Sequence, residues 1–371
     1  MYEQLYQLIL YFFYAVVIVQ SFFLVIIFPK IFFIKKNKDR NSQEAVSIVI
    51  AAKDEYYNLS SFLPKIMAQD YPDFEVIVVN HGSQDDSEFV LKEMQDKHSN
   101  FKYINVQSDA NFFGGKKFPL SIGIKSAKND LLLLTDADCY PASPHWISNM
   151  VNSYSDNTEI VLGYGGYEEK RGLLNKIVRF DTLRVALMYF SFALWKMPYM
   201  GVGRNLSYRK SLFYKQQGFT KHYTTASGDD DLFVNKAANR KNTNVSIDAD
   251  SKTISLPKET INEWVKQKRR HFTSGKHYKK WHLFILGLWE SSTLFYFLLT
   301  ITLITLNFHL QEVLYVLIIR TIVNLFLIKK LTNVLNERKL LLLSPLLELT
   351  IVLLGTLLNM SNLLYKQRKW K

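Results

Sequence analysis

The chain has 371 residues, of which 48% are hydrophobic and 14% aromatic, with a net charge of +13 and one cysteine, Cys139. That length admits one large domain or two ordinary ones. A lone thiol excludes an intrachain disulfide, and no Cys/His spacing suits a zinc site.

The first element is apolar. Leu8 to Phe28 runs 21 residues without a charge, long enough to span a bilayer. Its lysines and arginine (Lys30, Lys35, Lys36, Lys38 and Arg40) follow the run, whereas a cleaved leader carries them before it. The positive-inside rule then puts the N-terminus outside and the residues after Lys35 in the cytoplasm of a cell whose inner membrane the chain crosses more than once. Residues 1–40 are therefore expected to be a transmembrane helix with a basic stop. Lys266, Lys268, Arg269, Arg270, Lys276, Lys279 and Lys280 crowd before the next apolar run in the same way. Charge placed beside membrane segments suits anionic lipid headgroups, so membrane lipids are expected as partners and nucleic acid is not.

Residues 41–280 read as a soluble α/β domain. Val46–Ala52, Glu75–Val79 and Leu131–Leu134 are short apolar runs without polar alternation, as in strands buried on both faces. Helical spacing over Leu59–Ala68 and Ser87–Lys97 separates them. The alternation predicts a doubly wound, mixed or parallel sheet, with ligands beyond the carboxyl ends of its strands. Leu173 to Tyr199 is aromatic-rich and reads either as a buried helix pair or as a helix on the membrane surface, the second being favoured. Residues 281–371 hold three more apolar segments, near 283–306, 312–328 and 341–364. Three crossings would leave the basic tail Lys366-Gln367-Arg368-Lys369 outside, against the charge rule. One segment is therefore expected to be re-entrant or interfacial, and Pro345 directs attention to the last.

Three clusters carry chemistry. Asp136 and Asp138 directly follow the third strand, where two carboxylates two residues apart can hold a hard divalent cation, Mg²⁺ or Mn²⁺, that neutralises a diphosphate. Ser227-Gly228-Asp229-Asp230-Asp231-Leu232 sets three acids side by side. Their repulsion raises the pKa of some of them or calls for a cation, and one could act as a general base; the same acids also suit the first turn of a helix. Gln267-Lys268-Arg269-Arg270-His271 could hold a departing nucleotide diphosphate through charge-assisted hydrogen bonds, although Lys268 and Arg269 fit juxtamembrane charge better. Gly114-Gly115-Lys116-Lys117 lacks the spacing of a phosphate loop, and Gly201-Val202-Gly203-Arg204-Asn205-Leu206 lacks the third glycine of a dinucleotide turn. Asn58 and Asn205 begin glycosylation sequons but lie inside the α/β region and are discounted.

In this order, over about residues 45 to 275, the motifs resemble those of the family 2 glycosyltransferases, which have the GT-A fold. The resemblance implies a transferase (EC 2.4) that uses a nucleotide-sugar donor, a UDP-sugar by first choice. It implies that Ala52 and Glu55 lie at the base and ribose, that Asp136 contacts ribose or metal and Asp138 the metal, and that Lys116 or Lys117 lies near the donor. Asp230 aligns with the family's base, beside Asp229, with Asp231 as the register alternative. Gln267 and Arg270 match a Gln-x-x-Arg-Trp element typical of processive synthases, but His271 replaces the tryptophan. Asn80-His81-Gly82-Ser83 stands where Asp-Asp-Gly-Ser is common, so His81 would have to meet the base as a neutral acceptor.

The expectation is a membrane glycosyltransferase, inverting and metal-dependent, acting on a lipid-linked or glycan acceptor. A processive polysaccharide synthase is the alternative within enzymes. A non-catalytic membrane partner with a degenerate donor site is the alternative of another class.

Overall fold

The computed structural model describes residues 2–34, 43–107, 115–223, 225 and 227–362. Among these residues ten strands form two sheets: β1 (Val46–Ala52), β2 (Phe74–His81), β3 (Phe101–Val106), β4 (Leu131–Leu134), β5 (Cys139–Pro141), β6 (Ile160–Leu162), β7 (Gly165–Tyr167), β8 (Leu206–Arg209), β9 (Thr243–Val245) and β10 (Thr253–Ser255). The seven-stranded sheet has the order β3-β2-β1-β4-β8-β6-β9, and a small sheet has the order β5-β10-β7. The first four strands of the large sheet are parallel, while β8 runs antiparallel to both β4 and β6. The expected mixed α/β architecture is what forms.

Every residue of β1 and of β4 is buried, because helices cover both faces of the sheet. The helix Tyr56–Met67 presents Leu59, Phe62, Leu63 and Ile66, the spacing of one helical face. The helix Lys117–Ser126 approaches more closely. A Cβ on its Gly123 would lie 2.5 Å from Val49 Cγ1, so only glycine permits that contact. The close approach sets Lys116 and Lys117 at the start of this helix against the carboxyl ends of β1 and β4.

Among the described residues, four helices are long and apolar enough to cross a membrane: Tyr2–Phe33, Lys280–Thr305, Leu310–Val334 and Ser344–Asn362. They mark the protein as membrane-associated. The first lies beside the second, and its start reaches the turn between the second and third: Tyr14 donates to Glu312, and the Tyr6 and Phe308 rings are 5.6 Å apart. All four meet at a buried polar cluster. Arg320 donates to both oxygens of Glu348 at 2.9 and 2.7 Å and to Gln20 at 2.8 Å. Asn324 donates to Glu348 at 2.9 Å, and Gln20 donates to Ser292 at 2.7 Å.

The fourth apolar helix is tied to the α/β domain at both ends. In the chain leading into it, Glu337 accepts from Arg179 at 2.6 Å. At its far end Asn362 donates to the Arg269 carbonyl at 3.1 Å, and Arg269 donates to Ser361 at 3.3 Å.

The segment expected on the membrane surface is instead one buried helix, Leu173–Leu194. Its charged residues are paired within the fold, Arg179 with Glu337, Asp181 with Lys268 and Arg184 with Glu290, so they form no free polar face. Tyr189 donates to the Gly163 carbonyl at 2.8 Å, and just past the helix Trp195 donates to the Ile27 carbonyl at 3.0 Å. The helix thus sits between the sheet and the first apolar helix.

Candidate active site

The carboxyl ends of β1, β2 and β4 form the floor of the site. The chain after β1 turns through Asp54, whose φ of 52° is left-handed. This turn is latched to the loop after β2: Ser83 accepts from the Asp54 N–H at 2.8 Å, and Asp54 accepts from the Gln84 N–H at 2.7 Å. Ala52, at the end of β1, pairs in register with Asn80 on β2. Glu55 lies one residue before the first helix of the domain, where its carboxylate accepts from Asn58 at 2.5 Å. Asn80 donates to Asn105 at 3.0 Å. His81 is buried against the Phe118 ring at 6.0 Å. Burial, and then the charge of Lys53, pull its pKa below the ordinary histidine value, so it is neutral at pH 7.

Asp136 and Asp138 emerge after β4 with Cys139. One ligand atom from each lies within 4.8 Å of the others. Their two carboxylates titrate in opposite senses. Burial works against ionisation at Asp136, but Lys116 together with Arg204 and Arg270 holds Asp136 below its ordinary value. Asp138 is raised, by burial first and then by Asp136 and Glu55. An acid raised by converging carboxylates is a site that a cation would relieve.

Lys116 bridges the two acidic clusters. Its ammonium pairs with Asp136 and lies 3.5 Å from Asp229. Lys117 turns away and donates to the carbonyls of His222, Thr225 and Ser227 at 2.5, 2.9 and 2.7 Å. It therefore fixes the loop that delivers the three aspartates.

The neighbouring aspartates differ in what holds them. Asp230 accepts one backbone N–H on each oxygen, from Asp231 and from Gly203, both at 2.7 Å. Its pKa is pushed up to about 8 by burial first and by Asp229 and Asp231 next. Asp231 is buried, and its carboxylate accepts from the Leu232 N–H at 2.7 Å, from Tyr278 at 2.8 Å and from Ser274. Ser274 ends the helix Ile261–Gly275, which a Thr260/Glu263 capping box starts. On that helix Gln267 donates to Tyr167 at 3.1 Å, and the charge of Arg270 is felt at Asp136.

Sequence reasoning missed Arg204 and Tyr167. The Arg204 guanidinium lies 4.3 Å over the Tyr167 ring and favours the ionised form of both Asp136 and Asp138. Gly203-Arg204 was rejected above as a nucleotide turn, and its actual part is different. A Cβ on Gly203 would lie 3.3 Å from Asp230 Oδ2 and 3.4 Å from Lys116 Nζ, so the bare backbone is the wall between them. No spacing rule would have selected it.

Residues 47–216 match the family model described as glycosyl transferase family 2. The chain thus carries a family 2 glycosyltransferase domain, in the GT-A fold, joined to long apolar helices. It is similar to the poly-beta-1,6-N-acetyl-D-glucosamine synthase of Staphylococcus epidermidis, 26% identical over 159 residues that make up 39% of this chain and 37% of that one. It is also similar to a dolichyl N-acetyl-alpha-D-glucosaminyl phosphate 3-beta-D-2,3-diacetamido-2,3-dideoxy-beta-D-glucuronosyltransferase of Methanococcus voltae, 25% identical over 179 residues, 47% of this chain and 49% of that one. The chain spans less than half the length of these two relatives. Among solved structures it is similar to a mannosyltransferase from Pyrobaculum calidifontis in complex with GDP-Man and Mn²⁺ (TM-score 0.59, 15% identity, 94% of this chain and 99% of that one).

Proposed function

We propose that the protein is an inverting, metal-dependent membrane glycosyltransferase that moves a sugar from a nucleotide-sugar donor to a lipid-linked or glycan acceptor. The observation that carries this reading is the Lys116 bridge. One ammonium joins Asp136, in the acidic pair after β4, to Asp229, the neighbour of a carboxylate raised to about 8. A leaving-group site and a base are thus within one side chain of each other.

The donor set suits a hard divalent cation, Mg²⁺ or Mn²⁺, because Asp138 and Asp136 present oxygens and the pKa of Asp138 stays raised despite the charges of Lys258 and Arg204. When bound, such a cation supplies charge to the departing diphosphate. Ala52, Glu55, Asn80 and His81 line the loops for the nucleoside. Neutral His81 offers the base a ring nitrogen, and a UDP-sugar is the first choice of donor. Asp230 takes the proton from an acceptor hydroxyl. The oxygen attacks the anomeric carbon opposite the nucleotide, the carbon–oxygen bond to the diphosphate breaks, and its electron pair stays on the diphosphate. Lys116, Arg204, Gln267 and Arg270 hold the charge that develops there. Asp231 is the poorer base because Tyr278, Ser274 and a backbone N–H already occupy its carboxylate.

The test is label transfer from UDP- or GDP-sugars to the lipid fraction of proteoliposomes. One added sugar mass per acceptor is expected. A ladder of masses would instead assign a processive synthase, and label that never leaves the nucleotide would contradict the reading.

We place the α/β domain, residues 41–280, on the cytoplasmic side, with three crossings and the fourth apolar helix held on that side. The two ties of the fourth helix to the α/β domain support this, and it keeps the basic tail inside. A cysteine added after Lys371, in a Cys139→Ser background, should resist a membrane-impermeant maleimide in intact cells and react after permeabilisation. Labelling of intact cells would add a fourth crossing.

A further inference from the structure

The chain between the third and fourth apolar helices carries a glutamate into the base of the α/β domain. Glu337 is buried, with its side chain 3% exposed, and so is its partner Arg179 at 4%. Arg179 donates to Glu337 Oε2 through Nε at 3.1 Å and Nη2 at 2.6 Å, and Tyr164 donates to Oε1 at 3.1 Å. Lys252 also seats this connection, donating to the carbonyls of Leu335 and Asn336 at 3.3 and 3.2 Å, while on its solvent side the exposed Lys339 pairs with Glu169 at 2.5 Å.

What Glu337 rests on matters more than what it pairs with. A Cβ on Gly166 would lie 3.0 Å from Glu337 Oε1, so the carboxylate lies directly on the backbone of β7. The Gly166 carbonyl accepts from Arg204 Nη1 at 3.3 Å. The next residue, Tyr167, stacks on the Arg204 guanidinium and accepts from Gln267. Glu337 is therefore one residue of backbone away from the cation that faces Asp136 and Asp138.

We propose that Glu337, supplied by the hairpin of two apolar helices, is a positioning residue for the diphosphate-binding end of the donor site. It holds Tyr164 and Gly166, these hold β7, and β7 aims Arg204 and Gln267. A carboxylate is suited to this because Arg179 holds one oxygen with two N–H groups while Tyr164 holds the other. The inference rests on the donor-site reading above and is separable from it.

The experiment is calorimetric binding of UDP and of GDP, each with Mn²⁺, to detergent-purified wild type, Glu337→Gln, Tyr164→Phe and Lys339→Ala, with donor KM and kcat measured alongside. Glu337→Gln and Tyr164→Phe should weaken nucleotide binding and raise KM about fivefold or more, with kcat at saturating donor within about twofold of wild type. Lys339→Ala, an exposed partner on the same connection, should leave both unchanged. A merely structural Glu337 would lower the binding stoichiometry and kcat while leaving Kd and KM at their wild-type values, and that result would overturn the proposal. Tyr164→Phe removes a single hydroxyl and decides the matter alone if Glu337→Gln does not fold. If wild type binds neither nucleotide, the donor-site reading falls, a different outcome from tight binding that the variants do not disturb.

Discussion

Asp230→Asn is expected to lower sugar transfer by about a thousandfold, the usual scale for loss of a positioned general base, and to leave nucleotide binding close to wild type. The amide has the carboxylate's shape but cannot take a proton from an acceptor hydroxyl. It also offers one acceptor where two backbone N–H groups now donate, from Gly203 and Asp231, so stability falls by about 1–3 kcal/mol. Thermal unfolding separates that loss from the catalytic one. The pH profile gives a second measurement of the same assignment. With its pKa pushed up to about 8, the base is mostly protonated at pH 7 in the free enzyme. kcat/KM should rise about tenfold per pH unit below 8 and level off above it. The stability linkage has the opposite sense. A carboxyl raised in the folded state contributes its full stability below its unfolded pKa of about 4 and loses it as pH rises through 8. Wild-type turnover in Asp230→Asn, or a flat profile from pH 6 to 9, would remove Asp230 from the role.

Glu348→Ala is expected to destabilise the protein by about 3–5 kcal/mol. The substitution leaves Arg320, whose side chain is 7% exposed, without its counter-charge among apolar helices. Asn324 loses its acceptor as well. Gln20 remains beside Arg320 but is neutral and already donates to Ser292 and Thr293. Removing both charges together should cost far less, because a buried ion pair is often replaceable by apolar side chains of similar volume. Thermal unfolding in detergent should therefore rank wild type and Arg320→Met/Glu348→Leu close together and Glu348→Ala well below both. A single variant as stable as wild type would show that the pair does not join the four helices.

How much of this was legible in the sequence depends on how local the signal was. β1, β2 and β4 were readable because burial on both faces leaves a run of aliphatic residues, and β4 placed Asp136 and Asp138 at a strand end. β5 to β10 were not, since each has only three or four residues and several depend on pairing with strands far away in sequence. The helix Leu173–Leu194 was misplaced for a related reason. Its composition says that it is buried but not against what. Lys116 and Lys117 were a pair of adjacent candidates, and only the fold shows that one ammonium faces two carboxylates while the other faces three carbonyls. Arg204, Tyr167 and Glu337 belong to contacts between segments that share no motif.

The central claim is that Asp136, Asp138 and Lys116 hold a metal-neutralised diphosphate beside the base Asp230. Sugar transfer from UDP- and GDP-sugars by the purified protein, measured with excess chelator and again after Mn²⁺ is restored, tests it most directly. Transfer should vanish with chelator, return with Mn²⁺, and fail to return in Asp138→Asn. Undiminished transfer in chelator would contradict it.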